Sequence, residues 1–141
     1  MDIAIKDYAK GIAEKGLALK VEEADPGVIV LADKDKLSEA LRNVIDNALK
    51  FTDSGSITIK TGGKGGYGII EVTDTGTGIS DNVMKTLFSK EKVLSGGPKA
   101  GAGAKLGLYI AKSFMKLQRG DITATSVVGK GSTFVLKVPM Q

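Results

Sequence analysis

Apolar side chains recur every three or four residues in three stretches of the chain, and this spacing predicts helices. Residues 3–16 predict a short extended start and an amphipathic helix that ends at Gly16, and residues 106–117 predict another helix. Residues 81–87 are a candidate for a short helix. The longest stripe has Asp33 or Asp35 as a candidate cap. It consists of Leu37, Ala40, Leu41, Val44, Ile45, Ala48 and Leu49.

Alternating apolar and polar side chains predict strands in most of the remaining segments. Residues 17–21 alternate in this way, and a short apolar run follows the turn Asp25-Pro26-Gly27 at residues 28–31. Two hairpins are predicted: residues 56–61 and 67–72 around the glycine-rich residues 62–66, and residues 121–127 and 132–138 around residues 129–131. Helices combined with hairpin-linked strands favour an α+β two-layer sandwich over a doubly wound parallel sheet.

The composition narrows the classes of function that the chain can perform. A length of 141 residues fits one domain, residues 1–141, and a hydrophobic content of 42% is sufficient for one core. There is no cysteine, which excludes disulfides and thiolate metal sites. There is no histidine either, so imidazole acid–base chemistry is excluded and the chain cannot carry a phosphohistidine of its own.

The charge and hydropathy patterns argue against nucleic-acid binding and membrane insertion. The net charge of +4 is spread along the sequence without a dense basic cluster. No apolar run approaches the roughly 20 residues of a membrane span, and the first residues lack a signal-peptide pattern. We therefore expect a soluble, cytoplasmic, monomeric domain, although its parent protein can be membrane-anchored.

The predicted long helix carries a polar group of residues beside its apolar stripe. On a helical wheel, Asn43, Asn47 and Lys50 fall within roughly 60° of one another, so they can line a groove at the edge of the core. Amide oxygens are neutral, hard ligands that suit Mg²⁺, and a lysine one turn further on can contact phosphate oxygens. The alternative is that these residues simply flank the apolar face, as polar residues do on any amphipathic helix.

Asp74 follows an apolar strand and opens the sequence Asp-Thr-Gly-Thr-Gly-Ile. Glycines allow the backbone to approach a flat ligand closely, and a carboxylate at a strand end can accept a hydrogen bond from the exocyclic amine of adenine. The alternative interpretation is an ordinary Asx turn. The segment does not have the spacing of a dinucleotide-binding fingerprint.

A glycine-rich segment, residues 95–107, ends where the helix of residues 106–117 is predicted to begin. Its composition predicts a mobile loop, and free amides at the helix start, with Lys99 and Lys105 nearby, can bind an anion. A flexible linker is the alternative. Residues 129–134 by themselves indicate an ordinary hairpin turn.

Taken together, these motifs resemble the ATP-binding domain of sensor histidine kinases, a branch of the GHKL ATPases that also includes gyrase, Hsp90 and MutL. Residues 42–52 look like the asparagine box, and Asp74, Gly76 and Gly78 match the first glycine box. Residues 101–107 fall in the lid and second glycine box, and residues 129–133 match the last box. The implied fold is a mixed, mostly antiparallel sheet covered on one face by about three helices.

The resemblance also implies roles for individual residues. Asn47 would coordinate Mg²⁺ with support from Asn43, Lys50 would contact phosphate, and Asp74 would recognise adenine. Asn43, Asn47 and Lys50 form the catalytic group. The implied nucleotide-binding set is Asn43, Asn47, Lys50, Asp74, Gly76, Gly78, Ile79, Phe88, Lys99, Gly101, Gly103, Lys105, Leu106, Gly107, Leu108 and Thr133.

Two positions depart from the family pattern and concern the lid. The usual Gly-Leu-Gly-Leu is Lys105-Leu106-Gly107-Leu108 here, and Phe88 lacks a second aromatic residue three positions later. Ordering of the lid, and with it turnover, is therefore less firmly implied than ATP binding.

The resemblance implies transfer of the ATP γ-phosphate to a histidine on a separate dimerisation domain. It also implies that a response-regulator receiver domain is the downstream partner. Asn43 occupies the position of the glutamate base of gyrase-like relatives, so efficient ATP hydrolysis is not expected. The start at Met1 resembles a cut just after the dimerisation helices. Two alternatives remain: a non-catalytic nucleotide-binding module and an anti-sigma-type serine kinase.

Overall fold

A computed structural model describes residues 6–23, 34–85, 87–88 and 102–140. Its elements, in chain order, are α1 (Lys6–Glu14), β1 (Ala18–Glu23), α2 (Lys34–Phe51), β2 (Ser56–Lys64), β3 (Tyr67–Asp74), α3 (Asp81–Met84), α4 (Ala102–Leu117), β4 (Asp121–Val127) and β5 (Gly131–Pro139).

The five strands form one sheet in the order β1-β2-β3-β5-β4. Strand β1 runs parallel to β2 because helix α2 connects them, whereas the other three pairings are antiparallel. The mixed, mostly antiparallel α+β sandwich is therefore confirmed.

Side chains on the two faces of the sheet differ in burial. Buried and partly exposed residues alternate along β3 and β5, so one face meets the core and the other does not. The buried face shares one apolar cluster with the helices, which includes Ile45 of α2, Val72 of β3, Met115 of α4 and Phe134 of β5. Helices α2 and α4 pack against each other above the sheet. This layering places the polar edge of α2 at the boundary of the core.

The hairpin between β2 and β3 is tighter than its glycine content predicts. The strands continue to Lys64 and Tyr67, which face each other, and only Gly65 and Gly66 form the turn. Both have positive φ, 61° and 84°, the combination of a type I′ turn, which favours glycine. Residues 62–64 therefore belong to the sheet, contrary to the prediction of a turn over residues 62–66.

Helix boundaries account for the other differences. Helix α4 begins at Ala102, so residues 102–107 are helical and the predicted loop is wrong over that part. Helix α3 ends at Met84, short of the predicted residue 87. Asp35 lies inside the first turn of α2 and is therefore not its cap. Asp33, residues 3–5, the turn at residues 25–27 and the run at residues 28–31 lie outside the described residues.

Candidate functional site

Helix α2 brings Asn43 into close contact with helix α4. A Cβ atom at Gly107 would lie 3.1 Å from Asn43 Oδ1, so the absence of a side chain at Gly107 allows this approach. Asn47, one turn later, is only 3% exposed, and Lys50 is at the exposed end of the same helix. Two amides at the border of the core and an ammonium nearer to solvent therefore follow one another along α2.

Asp74 is the last residue of β3, and its side chain faces the helices. Its Oδ1 accepts a hydrogen bond of 2.9 Å from the Gly76 amide. Burial raises the pKa of Asp74 above its ordinary value, and the neighbouring backbone of Gly76, backbone of Ser132 and side chain of Thr52 oppose this rise. The carboxyl group is thus buried yet held mainly by hydrogen bonds, without an ion pair contributing to its pKa.

The turn after Asp74 is joined to the end of helix α2. The Thr77 amide donates a hydrogen bond of 3.1 Å to the Phe51 carbonyl. A Cβ atom at Gly76 would lie 2.2 Å from the same carbonyl oxygen, closer than any real side chain can come. Only glycine therefore fits at position 76, and the two motifs of the sequence form one contiguous structure.

Gly78 and Ile79 connect this turn to the β4–β5 hairpin. Gly78 has φ of +77°, and a Cβ atom there would lie 2.4 Å from the Val127 carbonyl oxygen. The Gly129 amide donates to the Thr77 carbonyl at 2.8 Å, and the Ile79 amide donates to Ser126 Oγ at 2.7 Å. The Ile79 side chain itself is buried in the core.

Ser132 joins Asp74 on the buried face of the sheet, a residue that the motif assignment missed. Asp74 is paired with Ser132 in the sheet, and Ser132 is paired with Ser126. The Ser126 hydroxyl donates to the Gly131 carbonyl at 2.9 Å, so the 3.0 Å contact between the two serines uses the Ser132 proton.

Thr133, the candidate of the sequence analysis, belongs to the opposite face. Its hydroxyl lies 3.2 Å from that of Thr73, and both residues alternate with buried neighbours. Because successive side chains of a strand point to opposite faces, the Thr133 side chain lies on the face opposite that of Asp74, although both residues line one concavity at the end of the strands. The burial of Phe134 was the available signal, since it places Ser132 on the core face.

The remaining candidates divide into core residues and residues outside the described parts. Leu108 is fully buried, and Phe88 packs edge-on against Phe134 at a centroid distance of 6.3 Å. Lys112 Nζ lies 4.8 Å from the Phe88 ring centroid. The structure therefore gives Leu108 and Phe88 a packing role.

The glycine-rich segment is described only in part. Lys99 and Gly101 lie outside the described residues. The backbone of Gly103, Lys105 and Leu106 is helical in α4.

A concavity of about 260 Å³ lies where β3, β4 and β5 meet, and Asp74, Ser126 and Ser132 are among its lining residues. A larger one, of about 430 Å³, lies beside the β2–β3 hairpin and contains none of the motif residues. Thr73, Thr125 and Thr133 also line the smaller one, so it adjoins the strand end at Asp74, where the candidate site begins.

Two further observations concern the described residues as a whole. Within them, no group of three acidic side chains is arranged to hold a metal ion. None of the described helices is long and apolar enough to cross a membrane.

An open mixed sheet packed against helices, with the end of α2 joined to the turn after β3, is the architecture of Bergerat-type domains. The family described as "Histidine kinase-, DNA gyrase B-, and HSP90-like ATPase" matches residues 32–141, and the chain belongs to this family. The predicted resemblance is thereby confirmed.

The chain is similar in sequence to proteins that are named as sensor proteins. The chain is 34% identical to the autoinducer 2 sensor kinase/phosphatase LuxQ of Vibrio harveyi over 95% of its length, and 36% identical to the aerobic respiration control sensor protein ArcB of Escherichia coli over 89%. It spans only 16% and 17% of those relatives. These proteins therefore contain much more than the part that the chain matches.

Solved structures agree with the fold. Full-length ShkA, crystallised in complex with AMPPNP, superposes with a TM-score of 0.78 at 26% identity, covering 96% of this chain and 29% of ShkA. The catalytic domain of histidine kinase ThkA superposes with a TM-score of 0.79 at 19% identity, covering 96% of this chain and 86% of ThkA. Because the identity to ThkA is only 19%, this superposition supports the fold alone.

Proposed function

We propose that this chain is the ATP-binding catalytic domain, residues 1–141, of a sensor histidine kinase. It would transfer the γ-phosphoryl group of ATP to a histidine on a separate dimerisation domain. The observation that carries the proposal is the joining of the Asn43–Lys50 face of α2 to the Asp74 turn through Thr77 and Phe51. Family membership and the naming of LuxQ and ArcB as sensor proteins support it.

The donor groups of the site fit a magnesium nucleotide. Asp74 presents a carboxyl group at the end of β3, which suits the exocyclic amine of adenine. The absence of side chains at Gly76 and Gly78 lets the turn beside it pack closely against Phe51 and Val127. Asn47 would supply one oxygen ligand to Mg²⁺, and phosphates and water would supply the others, since the described residues offer no acidic cluster. Lys50 would contact phosphate oxygens.

Catalysis at such a site would consist mainly of positioning and charge neutralisation. Transfer breaks the bond between the γ-phosphorus and the bridging oxygen, which leaves with ADP, and forms a phosphorus–nitrogen bond to an imidazole that loses its N–H proton. The acceptor must come from elsewhere, because the chain has no histidine.

The implied partners are a dimerisation domain that carries the acceptor histidine and a response-regulator receiver domain. A relative named hybrid signal transduction histidine kinase B, from Dictyostelium discoideum, is 34% identical over 99% of this chain, which represents only 7% of that protein. The small covered fraction supports additional domains in relatives of this kind.

The deciding experiment combines the chain with a dimerisation domain that carries its histidine and with ATP radiolabelled at the γ-position. Acid-labile, base-stable label on the histidine domain is expected, and its loss with an Asn47→Ala chain would assign the transfer to this site. Tight Mg-ATP binding without any phosphohistidine would overturn the kinase proposal.

A second candidate, a non-catalytic nucleotide-binding module, is favoured by the sequence around the lid. Lys105 replaces a family glycine, and Phe88 is packed against Phe134 in the core. The same experiment distinguishes the two functions, since the module would bind ATP and label no histidine.

A further inference from the structure

Thr52 is a buried polar residue to which neither the motifs nor the family resemblance assign a function. It follows the last residue of helix α2 and is 0% exposed. Among the described residues, its Oγ1 is the buried side-chain oxygen that forms no hydrogen bond of standard geometry. A fully buried hydroxyl without such a bond lowers the free energy of unfolding, so we looked for a function of Thr52 that offsets this loss of stability.

The neighbours of this hydroxyl are the residues of the Asp74 turn. A Cβ atom at Gly76 would lie 2.8 Å from Thr52 Oγ1, so the hydroxyl lies directly beside the Cα atom of Gly76. The Gly76 amide donates to Asp74 Oδ1 at 2.9 Å, so Thr52 lies beside the residue that holds the carboxyl group, and its side chain contributes to lowering the pKa of Asp74. Thr52 thus lies between the end of α2 and the carboxyl group of β3.

We propose that Thr52 is a positioning residue of the nucleotide site: its hydroxyl orients the Asp74 carboxylate toward the base and joins that carboxylate to helix α2. This inference rests on the proposed function. Thr52 would act through Asp74, while Asp74 itself would contact the adenine. A second hydrogen-bond donor beside Gly76 would fix the plane of the carboxylate, leaving the other oxygen for the ligand.

The charged groups on the surrounding elements do not lower the pKa of Asp74 in place of Thr52. Lys50 and Asp53 are at the end of α2 and Lys130 is in the β4–β5 turn, whereas the neighbouring position on β2 is the apolar Ile57. The groups that lower the pKa of Asp74 are Gly76, Ser132 and Thr52, none of which is charged. Removing the Thr52 hydroxyl should therefore leave the carboxyl group less well held and easier to protonate.

Thr52→Val, which keeps the shape and removes the hydroxyl, is the direct test. We expect the affinity for a Mg-bound non-hydrolysable ATP analogue, measured by calorimetry, to fall about tenfold at neutral pH. We also expect the pH at which half of the affinity is lost on acidification to move upward. Thr52→Ser should restore both quantities. Thr52→Ala provides the same deletion if the valine variant does not fold.

Thr61→Val is a matched control, because Thr61 is also buried on the core face but lies on β2 away from Asp74. It should change neither the affinity nor the pH profile. In an Asp74→Asn background, Thr52→Val should cause no further loss, because the two residues would act as one unit. A full additional loss there would overturn the inference.

A nucleotide-free measurement separates this inference from the proposed function. In ¹³C NMR titrations of the Asp74 carboxyl group, Thr52→Val should raise the titration midpoint and Thr52→Ser should not. If the wild-type chain binds no nucleotide, the proposed function fails and so does the base-orienting role. If the wild type binds and Thr52→Val matches it in affinity, pH profile and titration, only the role of Thr52 is refuted.

Discussion

The amide of Thr77 donates a 3.1 Å hydrogen bond to the carbonyl oxygen of Phe51, and this contact holds the turn after β3 against the end of α2. The two motifs lie some two dozen residues apart in the sequence, and the β2–β3 hairpin separates them. Any movement of α2 along its axis would therefore be transmitted to the backbone beside Asp74. The metal-binding and base-binding ends of the proposed site are linked by backbone atoms.

Gly76→Ala should disrupt this link. The new Cβ atom would lie 2.2 Å from the Phe51 carbonyl oxygen, so the turn must move away from α2. We expect a loss of about 1–3 kcal/mol in the free energy of unfolding and a marked loss of ATP affinity. Urea denaturation and calorimetry measure the two quantities.

Gly11→Ala is the control for glycine substitution as such. Gly11 lies in helix α1, and its nearest contact would be Leu49 Cδ1 at 4.0 Å, an ordinary van der Waals distance. Alanine favours the helix by up to about 1 kcal/mol, so stability should rise and ATP affinity should not change. Equal effects of the two substitutions would contradict the steric argument.

Asp74→Asn should separate binding from stability. Because burial raises the pKa of Asp74, the ionised carboxylate costs stability at neutral pH, and this cost disappears as the pH falls toward the ordinary value of 3.8. The variant should therefore be as stable as wild type or more so at pH 7, within about 1 kcal/mol. ATP affinity should fall about 10- to 100-fold, since a charged acceptor is lost. Unchanged affinity by calorimetry would argue against the adenine assignment.

Asn47→Ala tests the metal assignment. Asn47 is buried at the edge of α2, and the shorter side chain removes the amide oxygen without removing Lys50 or Asp74. The enhancement of ATP affinity by Mg²⁺ should be lost, which titrations with and without EDTA measure. Asn82→Ala, at an exposed asparagine of α3, should leave this dependence intact. Survival of the metal effect in Asn47→Ala would place the ligand elsewhere.

Asp121 should contribute to stability in a pH-dependent way. Burial acts to raise its pKa, but the Ile122 amide, Lys112 and Lys116 together lower it below the ordinary value of 3.8. A lowered folded pKa stabilises the protein above pH 3.8, and this stabilisation is lost as the pH falls through the folded pKa. Asp121→Asn should cost about 1 kcal/mol at pH 7.

The comparison with wild type should be repeated at acid pH. Urea denaturation below pH 3 should show a smaller difference between Asp121→Asn and wild type than at pH 7. Glu39→Gln, at an exposed position of α2, serves as the control and should have little effect at either pH. A difference that persists unchanged at low pH would mean that the hydrogen bonds of Asp121 do not depend on its charge.

Elements with strong periodicity could be predicted from the sequence. The stripe from Leu37 to Leu49 predicted α2, and the alternation around residues 129–131 predicted β4 and β5 with their hairpin. Periodicity works here because one side of each element is buried in the same core. The glycine-rich start of α4 has little such pattern, so its first helical turn, residues 102–105, was missed.

The arrangement around Asp74 was harder to predict because it depends on contacts between distant segments. Ser132 and Thr133 are adjacent and chemically similar, and only the strand register decides which one faces Asp74. Thr52 has no pattern that distinguishes it from an exposed residue after a helix, yet it is fully buried. Such contacts follow from tertiary packing, which local sequence does not encode.

Strand β3 is hydrogen-bonded on both sides, to β2 and to β5, whereas β1 and β4 are the outer strands of the described part of the sheet. Interior strands open only when most of a domain unfolds, while edges fray at a much lower cost in free energy. Asp74 ends an interior strand and therefore belongs to the most persistent part of the molecule. Local fluctuations that loosen the edges would leave the proposed base-binding site intact, so loss of the adenine selectivity proposed for it should accompany global unfolding only.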